Sequence, residues 1–410
     1  MKDTEVSELI KRESKRQGNV YNLIASENSV SKDVLLALGS KFTNKYAEGY
    51  PGRRYYGGNK IIDELEKLCQ QRALDLFCLD PKEWSVNVQA LSGSPANLAV
   101  YSALLPKDGK ILGMALSSGG HLTHGQPVSM TGKFWKSEQY TVNEDGLLDY
   151  SQIQQQAEQF KPDILVAGYT AYSRDISYDD FKTIVDGIHI STELGRPYLL
   201  TDISHTAGLV AAGEFTSPFE FADIVTMTTH KTLRGPRAAL IFSRNTQIGA
   251  KNNGDPIFIS DLIDKAIFPG LQGGPHMNTI AAVAVALKEA STPEFKKYAK
   301  QVIKNAQAMA ETFTALGYKV ISGGTDSHLF VVDVWNNGTG ISGGDASKIL
   351  ETKNIIVNKN TIPGETRSPF DPSGLRIGTA AITTQRKFTT DDCRKLVYRI
   401  HYILSKSNKK

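Results

Sequence analysis

Cysteine is scarce, with three in 410 residues. Cys69, Cys78 and Cys393 are odd in number and form no C-x-x-C pair, which argues against a disulfide framework and against a zinc ribbon. A reducing compartment fits such usage. Long apolar runs are also missing: the longest, Ile280 to Leu287, falls far short of the ~20 residues of a membrane span, so a soluble chain is expected. The start of the chain mixes acids and bases around Leu9 and Ile10. It has neither the apolar centre of a signal peptide nor the Arg/Ser-rich, acid-poor character of a transit peptide, and a cytoplasmic location is expected. No sign of charge dominates, since 47 bases face 43 acids for a net +4. That balance does not demand nucleic acid, although it suits a polyanionic small molecule. There is no internal repeat, no low-complexity segment and no G-x-x-x-x-G-K-[ST] phosphate loop.

What is present is length and alternation. A chain of 410 residues predicts two or three packed units. Ile61, Leu65, Leu68 and Cys69 recur at helical spacing, so Cys69 reads as a core thiol. Strand-sized apolar runs follow at Ile111 to Leu116, Ile164 to Ala167, Tyr198 to Leu200 and Ile224 to Met227, separated by longer helix-like or polar stretches. Such alternation predicts an α/β fold, a mostly parallel sheet between helices. A further run, Ala238 to Phe242, comes after the Gly235-Pro236 break. Helices are expected over about Thr279 to Ala290 and Lys297 to Leu316. Leu329 to Val334, a helix near Asp345 to Glu351, Ile355 to Val357 and a closing helix from Asp391 complete a smaller C-terminal α+β unit. The division expected is an N-terminal arm over 1–52, a large domain over 53–277 and a small domain over 278–410.

Several motifs compete for a chemical reading. Gly338-Thr-Gly340-Ile-Ser-Gly343 satisfies G-x-G-x-x-G, but Trp335-Asn-Asn separates it from the preceding strand, so a surface loop explains it better than a dinucleotide turn. His121-Leu-Thr-His124 has no carboxylate partner at ligand spacing, and no metal is expected. Ser92-Gly93-Ser94-Pro95 opens a helix, where free N–H groups can meet an anion; a plain serine cap would look the same. The strongest constellation is Thr201-Asp202-Ile-Ser-His205 after one strand and Thr228-Thr-His230-Lys231 after the next, both at the carboxyl ends where open α/β sheets bind ligands. A lysine for a Schiff base and a carboxylate for a pyridine nitrogen suit pyridoxal phosphate. A buried Asp–Lys ion pair is the alternative, and it leaves the flanking Thr, His and Gly-Pro-Arg unexplained.

At this point the chain resembles the serine hydroxymethyltransferase family over nearly its whole length. The resemblance is carried by Asn22-Leu-Ile-Ala-Ser26-Glu-Asn28, by the arm Thr43-Asn-Lys-Tyr46-Ala-Glu48 through Tyr55-Tyr56-Gly-Gly58, and by Gly119-Gly-His121-Leu-Thr-His124-Gly125. Thr228-Thr-His-Lys231-Thr-Leu-Arg-Gly-Pro-Arg237 and Val357-Asn-Lys-Asn360 extend it. It implies a fold-type I pyridoxal phosphate enzyme with tetrahydrofolate as cosubstrate, a seven-stranded large-domain sheet, and a homodimer or tetramer with sites shared between subunits. Carried over, Lys231 holds the cofactor, Asp202 its pyridine nitrogen and His205 its phenolic oxygen, while His121 stacks on the ring and Thr170 sits near it. Ser92, Gly93, Thr228 and His230 face the phosphate and lysine, with Tyr46 and Gly274 reaching the phosphate from the partner. Arg376 and Ser26 hold the substrate carboxylate, which a guanidinium fork suits better than an ammonium. Glu48 and Tyr56 of the partner handle the hydroxymethyl group, and Asn360 with the stretch from Leu112 to Gly125 meets the pterin. Thr170, Ser204, Ala238-Ala239 and Ala380 depart from the family's usual Ser, Ala, Gly-Gly and Pro.

Two other readings remain. Another fold-type I enzyme, such as a threonine aldolase or an aminotransferase, would share the Asp–Lys core, but not Glu48 and the Tyr55-Tyr56-Gly-Gly arm. A cofactor-binding scaffold acting on RNA would leave Lys231 without purpose and sits poorly with the balanced charge.

Overall fold

A computed structural model describes residues 2–336 and 340–407. Its centre is a seven-stranded sheet. In chain order the strands are β1 Trp84–Asn87, β2 Lys110–Met114, β3 Lys136–Tyr140, β4 Ile164–Gly168, β5 Tyr198–Asp202, β6 Ile224–Thr228 and β7 Ala239–Arg244. They lie in the order β1-β7-β6-β5-β4-β2-β3, and only β7 runs antiparallel to its neighbours. Every residue of β4, β5 and β6 is buried, as expected of continuous apolar strands covered on both faces. One face packs a large cluster that includes Leu165, Leu199, Val225, Leu240 and Cys69, and the other packs Val166, Leu200 and Ile241 under the helix Gly93–Leu104. The fold is the α/β arrangement that the alternation of elements predicts.

The helices that matter below are α1 Thr4–Asn19, α2 Lys32–Leu38, α3 Lys60–Leu76, α4 Gly93–Leu104, α5 Met277–Ala290, α6 Pro293–Ala315 and α7 Thr390–Ser407. The smaller unit is built on an antiparallel sheet of β8 Lys319–Val320, β9 Leu329–Asp333, β10 Asn358–Asn360 and β11 Gly374–Gly378, in the order β8-β9-β11-β10. Phe330, Val332, Leu375 and Ile377 of this sheet pack with Cys393, Val397 and Ile400 of α7.

Packing draws the domain boundary differently from the expected division at 277/278. Met277, Ile280, Val283 and Leu287 of α5 belong to the large-domain core, and α5 lies against α3 and α2. The change of partner occurs inside α6: Phe295, Tyr298 and Val302 join the large core, whereas Met309, Ala310 and Phe313 join the small one. Part of the expected 1–52 arm is likewise small-domain structure, since Tyr21 and Asn22 pair in parallel with Ile355 and Ile356, and Leu23 is buried in the second core. Helix α1 has no buried residue and leaves Val6, Leu9 and Ile10 exposed.

Gly338 and Thr339 of the G-x-G-x-x-G motif lie outside the described residues. At the motif's other end, Ser342 caps the helix Gly343–Glu351 by accepting from the Asp345 N–H. A Cβ on Gly343 would sit 2.1 Å from Gly374 O, so that glycine serves close packing on β11.

Candidate active site

The carboxyl ends of β4, β5 and β6 lie side by side, and each bears a polar segment. Asp202 ends β5, 7 % exposed. Asn97 Nδ2, from α4, donates to its Oδ2 at 2.9 Å, and the Ser204 N–H donates to its Oδ1 at 3.0 Å. His124 Nε2 lies 3.0 Å from the same Oδ2. His124 Nδ1 accepts from the His121 N–H, which leaves the proton on Nε2 and makes His124 a donor to the carboxylate. Burial works against the ionised form, yet the bond to His124, the His124 and His121 rings and the Ser204 N–H hold the carboxyl well below the usual carboxylate range. Among the described residues no lysine or arginine pairs with Asp202, so the structure holds a buried anion that a cationic ring nitrogen could meet.

Lys231 follows β6, half-buried, and its Nζ donates to Thr228 Oγ1 at 2.7 Å. Burial pushes the amine down to about 8, against the pull of the Asp202 charge and with the help of Arg376 and Arg237. Thr228 is tied to the end of β5, for its N–H donates to Ser204 Oγ at 3.1 Å. The hydroxyl of Ser204, one of the departures from the family pattern, thereby joins the two strand ends. At the start of α4 the Ser92 hydroxyl makes no capping bond, and a Cβ on Gly93 would lie 2.8 Å from Thr228 Cγ2. Glycine there brings the open helix N-terminus against Thr228, a cradle for an anion beside Lys231.

Arg376 lies on β11 and is 8 % exposed. Its Nη1 donates to Thr170 O at 3.0 Å and its Nη2 to Asn358 Oδ1 at 2.8 Å, while Nε has no partner. No carboxylate pairs with it among the described residues, and burial lowers the guanidinium to about 10. A desolvated cation with a free N–H is a receptor for an incoming carboxylate. Ser26 and His230 line one cleft of about 400 Å³ with Asn28 and Arg237. Burial takes His230 down to about 3, and its Nδ1 is unpartnered. His121 is lowered to about 4 by burial and by His124, and its Nδ1 lies 2.8 Å from Thr123 Oγ1. His205 is buried and stacks on His328.

A second cluster forms on the arm. Tyr46 and Tyr56 meet edge to face at 5.1 Å, and a Cβ on Gly274 would be 3.0 Å from the Tyr46 ring. Glu48 Oε1 lies 3.3 Å from the corresponding point on Gly273. Tyr46 and Tyr56 are about half exposed, at 53 % and 49 %. Arg54 pins this loop, donating to Ala47 O and Gly49 O and pairing with Asp63 and Glu66. Among the described residues, none of the hydrogen bonds, ion pairs or ring contacts of Tyr46, Glu48 or Tyr56 involves Lys231, Asp202 or His205.

The pterin assignment needs one correction. Leu112 is fully buried in β2, its side chain enclosed by the sheet core, so it has no surface to offer a ligand. The exposed apolar side chains of that stretch are Leu116 and Leu122, beyond the strand end. Gly125 is also enclosed, and its carbonyl accepts from Ser137 Oγ and Gln139 Nε2. Asn360 is half-buried and lines a crevice between the domains with Ser117, Ala171 and Thr361. Sequence reasoning missed Asn97, Asn358 and His328, whose partners lie 18 to more than 100 residues away, and Arg54, whose partners lie within 12 residues but belong to the loop and to α3.

A family model for serine hydroxymethyltransferase matches residues 1–400. The chain is 48 % identical over 403 residues to the probable cytosolic serine hydroxymethyltransferase of Schizosaccharomyces pombe, covering 96 % of this chain and 84 % of that one. It is 49 % identical over 408 residues to the cytosolic serine hydroxymethyltransferase of Oryctolagus cuniculus, covering 97 % and 82 %. The mitochondrial serine hydroxymethyltransferase of Saccharomyces cerevisiae is 49 % identical over 392 residues, with 93 % and 78 % covered. With the lysine and carboxylate at adjacent strand ends and the Arg376 guanidinium reaching Thr170 O just past β4, these matches settle the affiliation: the chain belongs to the serine hydroxymethyltransferase family.

Proposed function

We propose that the chain transfers the hydroxymethyl carbon of serine reversibly to tetrahydrofolate, giving glycine and 5,10-methylenetetrahydrofolate, with its own residues in the roles given below. Family membership makes it a pyridoxal phosphate enzyme, a glycine hydroxymethyltransferase of one-carbon metabolism. The residues present fit that cofactor. Lys231 is a desolvated amine, Asp202 a buried carboxylate without a cation, and the N-terminus of α4 opens beside them. Lys231 would carry the cofactor, Asp202 would face its ring nitrogen, and Ser92, Gly93 and Thr228 its phosphate. His205, His121 and Thr170 would border the ring. When bound, pyridoxal phosphate supplies an electron sink for bond breaking at the amino-acid α-carbon.

The chain supplies orientation and proton handling. Arg376, with Ser26, binds the serine carboxylate through the free edge of its guanidinium. Its bonds to Thr170 O and Asn358 Oδ1 fix the plane of that fork. Glu48 holds or takes the proton at the serine hydroxyl oxygen, and Tyr56 stands beside it. Because Tyr46, Glu48, Tyr56 and Gly274 cluster apart from Lys231 within one chain and leave their rings exposed, we assign them to the site of a second copy in a two-fold dimer. Asn360, Leu116 and Leu122 flank the place for the pterin. Among the described residues no helix is long and apolar enough to cross a membrane, and free cysteines fit a cytosolic enzyme.

The observation that carries this reading is the unpaired, buried Arg376 beside the desolvated Lys231. The test is borohydride reduction and peptide mapping of the holoenzyme, together with folate-dependent cleavage of serine. Label on Lys231 and turnover are expected, and label on another lysine would remove the assignment. Mixed Lys231→Ala and Glu48→Gln subunits should regain activity over either parent if sites are shared.

A further inference from the structure

His328 is fully buried just before β9, and its Nε2 lies 3.2 Å from each of two atoms, His205 Nδ1 and the carbonyl oxygen of Ala25. The two imidazoles stack with centroids 5.4 Å apart and planes at 27°. A carbonyl oxygen can only accept, so the proton of His328 must be on Nε2. Placed on Nδ1 instead, it would be an orphaned buried donor, because His328 Nδ1 has no partner. The single Nε2–H is therefore shared between Ala25 O and His205 Nδ1, a three-centre bond consistent with two equal and rather long distances. His205 Nδ1 must then present a lone pair. Burial and the Lys231 charge oppose a doubly protonated His205, which leaves its proton on Nε2. No described protein group bonds that nitrogen.

The main chain makes the same residue a joint. The Thr379 N–H donates to His328 O at 3.0 Å and the Gly378 N–H to Leu23 O at 2.8 Å. A Cβ on Gly378 would lie 2.4 Å from Ala25 Cα, so β11 and the Ala25-Ser26 segment are in intimate contact. His328 is where these small-domain elements, which bear Arg376 and Ser26, touch the end of β5.

We propose that His328 is a positioning residue that fixes His205 as its Nε2–H tautomer and holds it in register with the Ala25-Ser26 segment. His205 can then serve as a hydrogen-bond donor to a ligand oxygen at the Lys231–Asp202 site without exchanging roles with an acceptor. Neither ring needs to change its charge for this.

Imidazole 15N spectra of the histidine-labelled holoenzyme test it, with the His205 signals assigned from a His205→Asn variant. The native protein should show an unprotonated Nδ1 and a protonated Nε2 on His205. His328→Phe keeps a stacked ring and removes the donor; it should populate the other His205 tautomer and lower kcat about 3- to 10-fold, the range for one neutral hydrogen bond, with little change in the serine KM. His328→Gln restores an N–H and should recover the native spectrum and most of the rate. A native His205 protonated on Nδ1, or an unchanged tautomer in folded His328→Phe, overturns the proposal. Should the Phe variant fail to fold, the native spectrum and the Gln variant decide. Only the kinetic arm rests on the function proposed above, so a failure of serine cleavage would leave the spectra to judge His328 independently.

Discussion

Arg54 Nη2 donates to Glu66 Oε2 at 2.6 Å beneath the loop that bears Glu48. Both side chains are almost wholly buried, and Gln89 Nε2 donates to the other Glu66 oxygen at 2.8 Å. Burial raises the Glu66 pKa and the Arg54 charge opposes it. Removing one partner of such a pair strands the other charge, so Arg54→Ala should cost about 3–5 kcal/mol in denaturant unfolding. The Glu66→Gln change in the Arg54→Ala background should return part of that loss. A single-variant cost below about 1 kcal/mol would mean the loop is held by its other contacts.

A second expectation concerns the donor behind Asp202. His124→Phe removes one charge-assisted hydrogen bond of about 1.5–3 kcal/mol and should reduce kcat/KM by about 10- to 100-fold while weakening cofactor retention in dialysis. Asn97→Ala should act in the same direction through the same oxygen. Retention and rate equal to the parent in both variants would show that Asp202 is held by the β5 main chain alone.

Arg376 sets stability against binding. Its charge is buried without an anionic partner, so Arg376→Leu should leave the ligand-free protein at least as stable in thermal unfolding, although Thr170 O loses a donor. Serine at 100 times its Kd should stabilise the parent by about 2.7 kcal/mol and leave the variant unmoved. Arg376→Lys should raise the serine KM strongly and leave cofactor binding intact. Serine stabilisation retained in Arg376→Leu would place the carboxylate elsewhere.

The amine of Lys231 gives a pH signature in the cofactor-free protein. Burial lowers it from the ordinary 10.5 to about 8, so the neutral, nucleophilic form makes up roughly a fifth of the total at pH 7.4, against roughly a thousandth for an unperturbed lysine. The rate of pyridoxal phosphate capture should rise with pH through a midpoint near 8 and level off above about 9. The same depression means that the unfolded chain binds the proton more readily between about 8 and 10.5, so this group makes stability rise with pH across that window. A capture midpoint near 10 would contradict the desolvated setting.

How much of this could be read from the chain alone depends on where each residue's constraints come from. Asp202 and Lys231 were legible because each follows a continuous apolar strand, and strand ends are where such sheets bind ligands. Edge strands were not: β3, Lys136–Tyr140, carries mostly polar residues and gives no apolar run. Leu112 cannot be placed from the sequence, because the length of the apolar run hides the point where a strand stops. Inside β2 a leucine faces the core, and accessible side chains begin only with Leu116. Asn97 and His328 carry no local signal, and the H-L-T-H motif marks His124 without revealing that its Nε2 meets Asp202, since each of these contacts joins residues more than 75 apart. Arg376 was reached through the family resemblance, and its vacant Nε became visible only with its neighbours in place.

Helix α6, 23 residues and so about 35 Å long, gives its first turns to one core and its last to the other. Melting either lobe would therefore fray a helix on which the other depends, and mid-helix Asn305, bonded to Thr383 Oγ1 and Phe388 O, secures the span between them. The two cores should accordingly lose structure together in a single calorimetric transition, and neither should survive proteolytic excision as an autonomous piece.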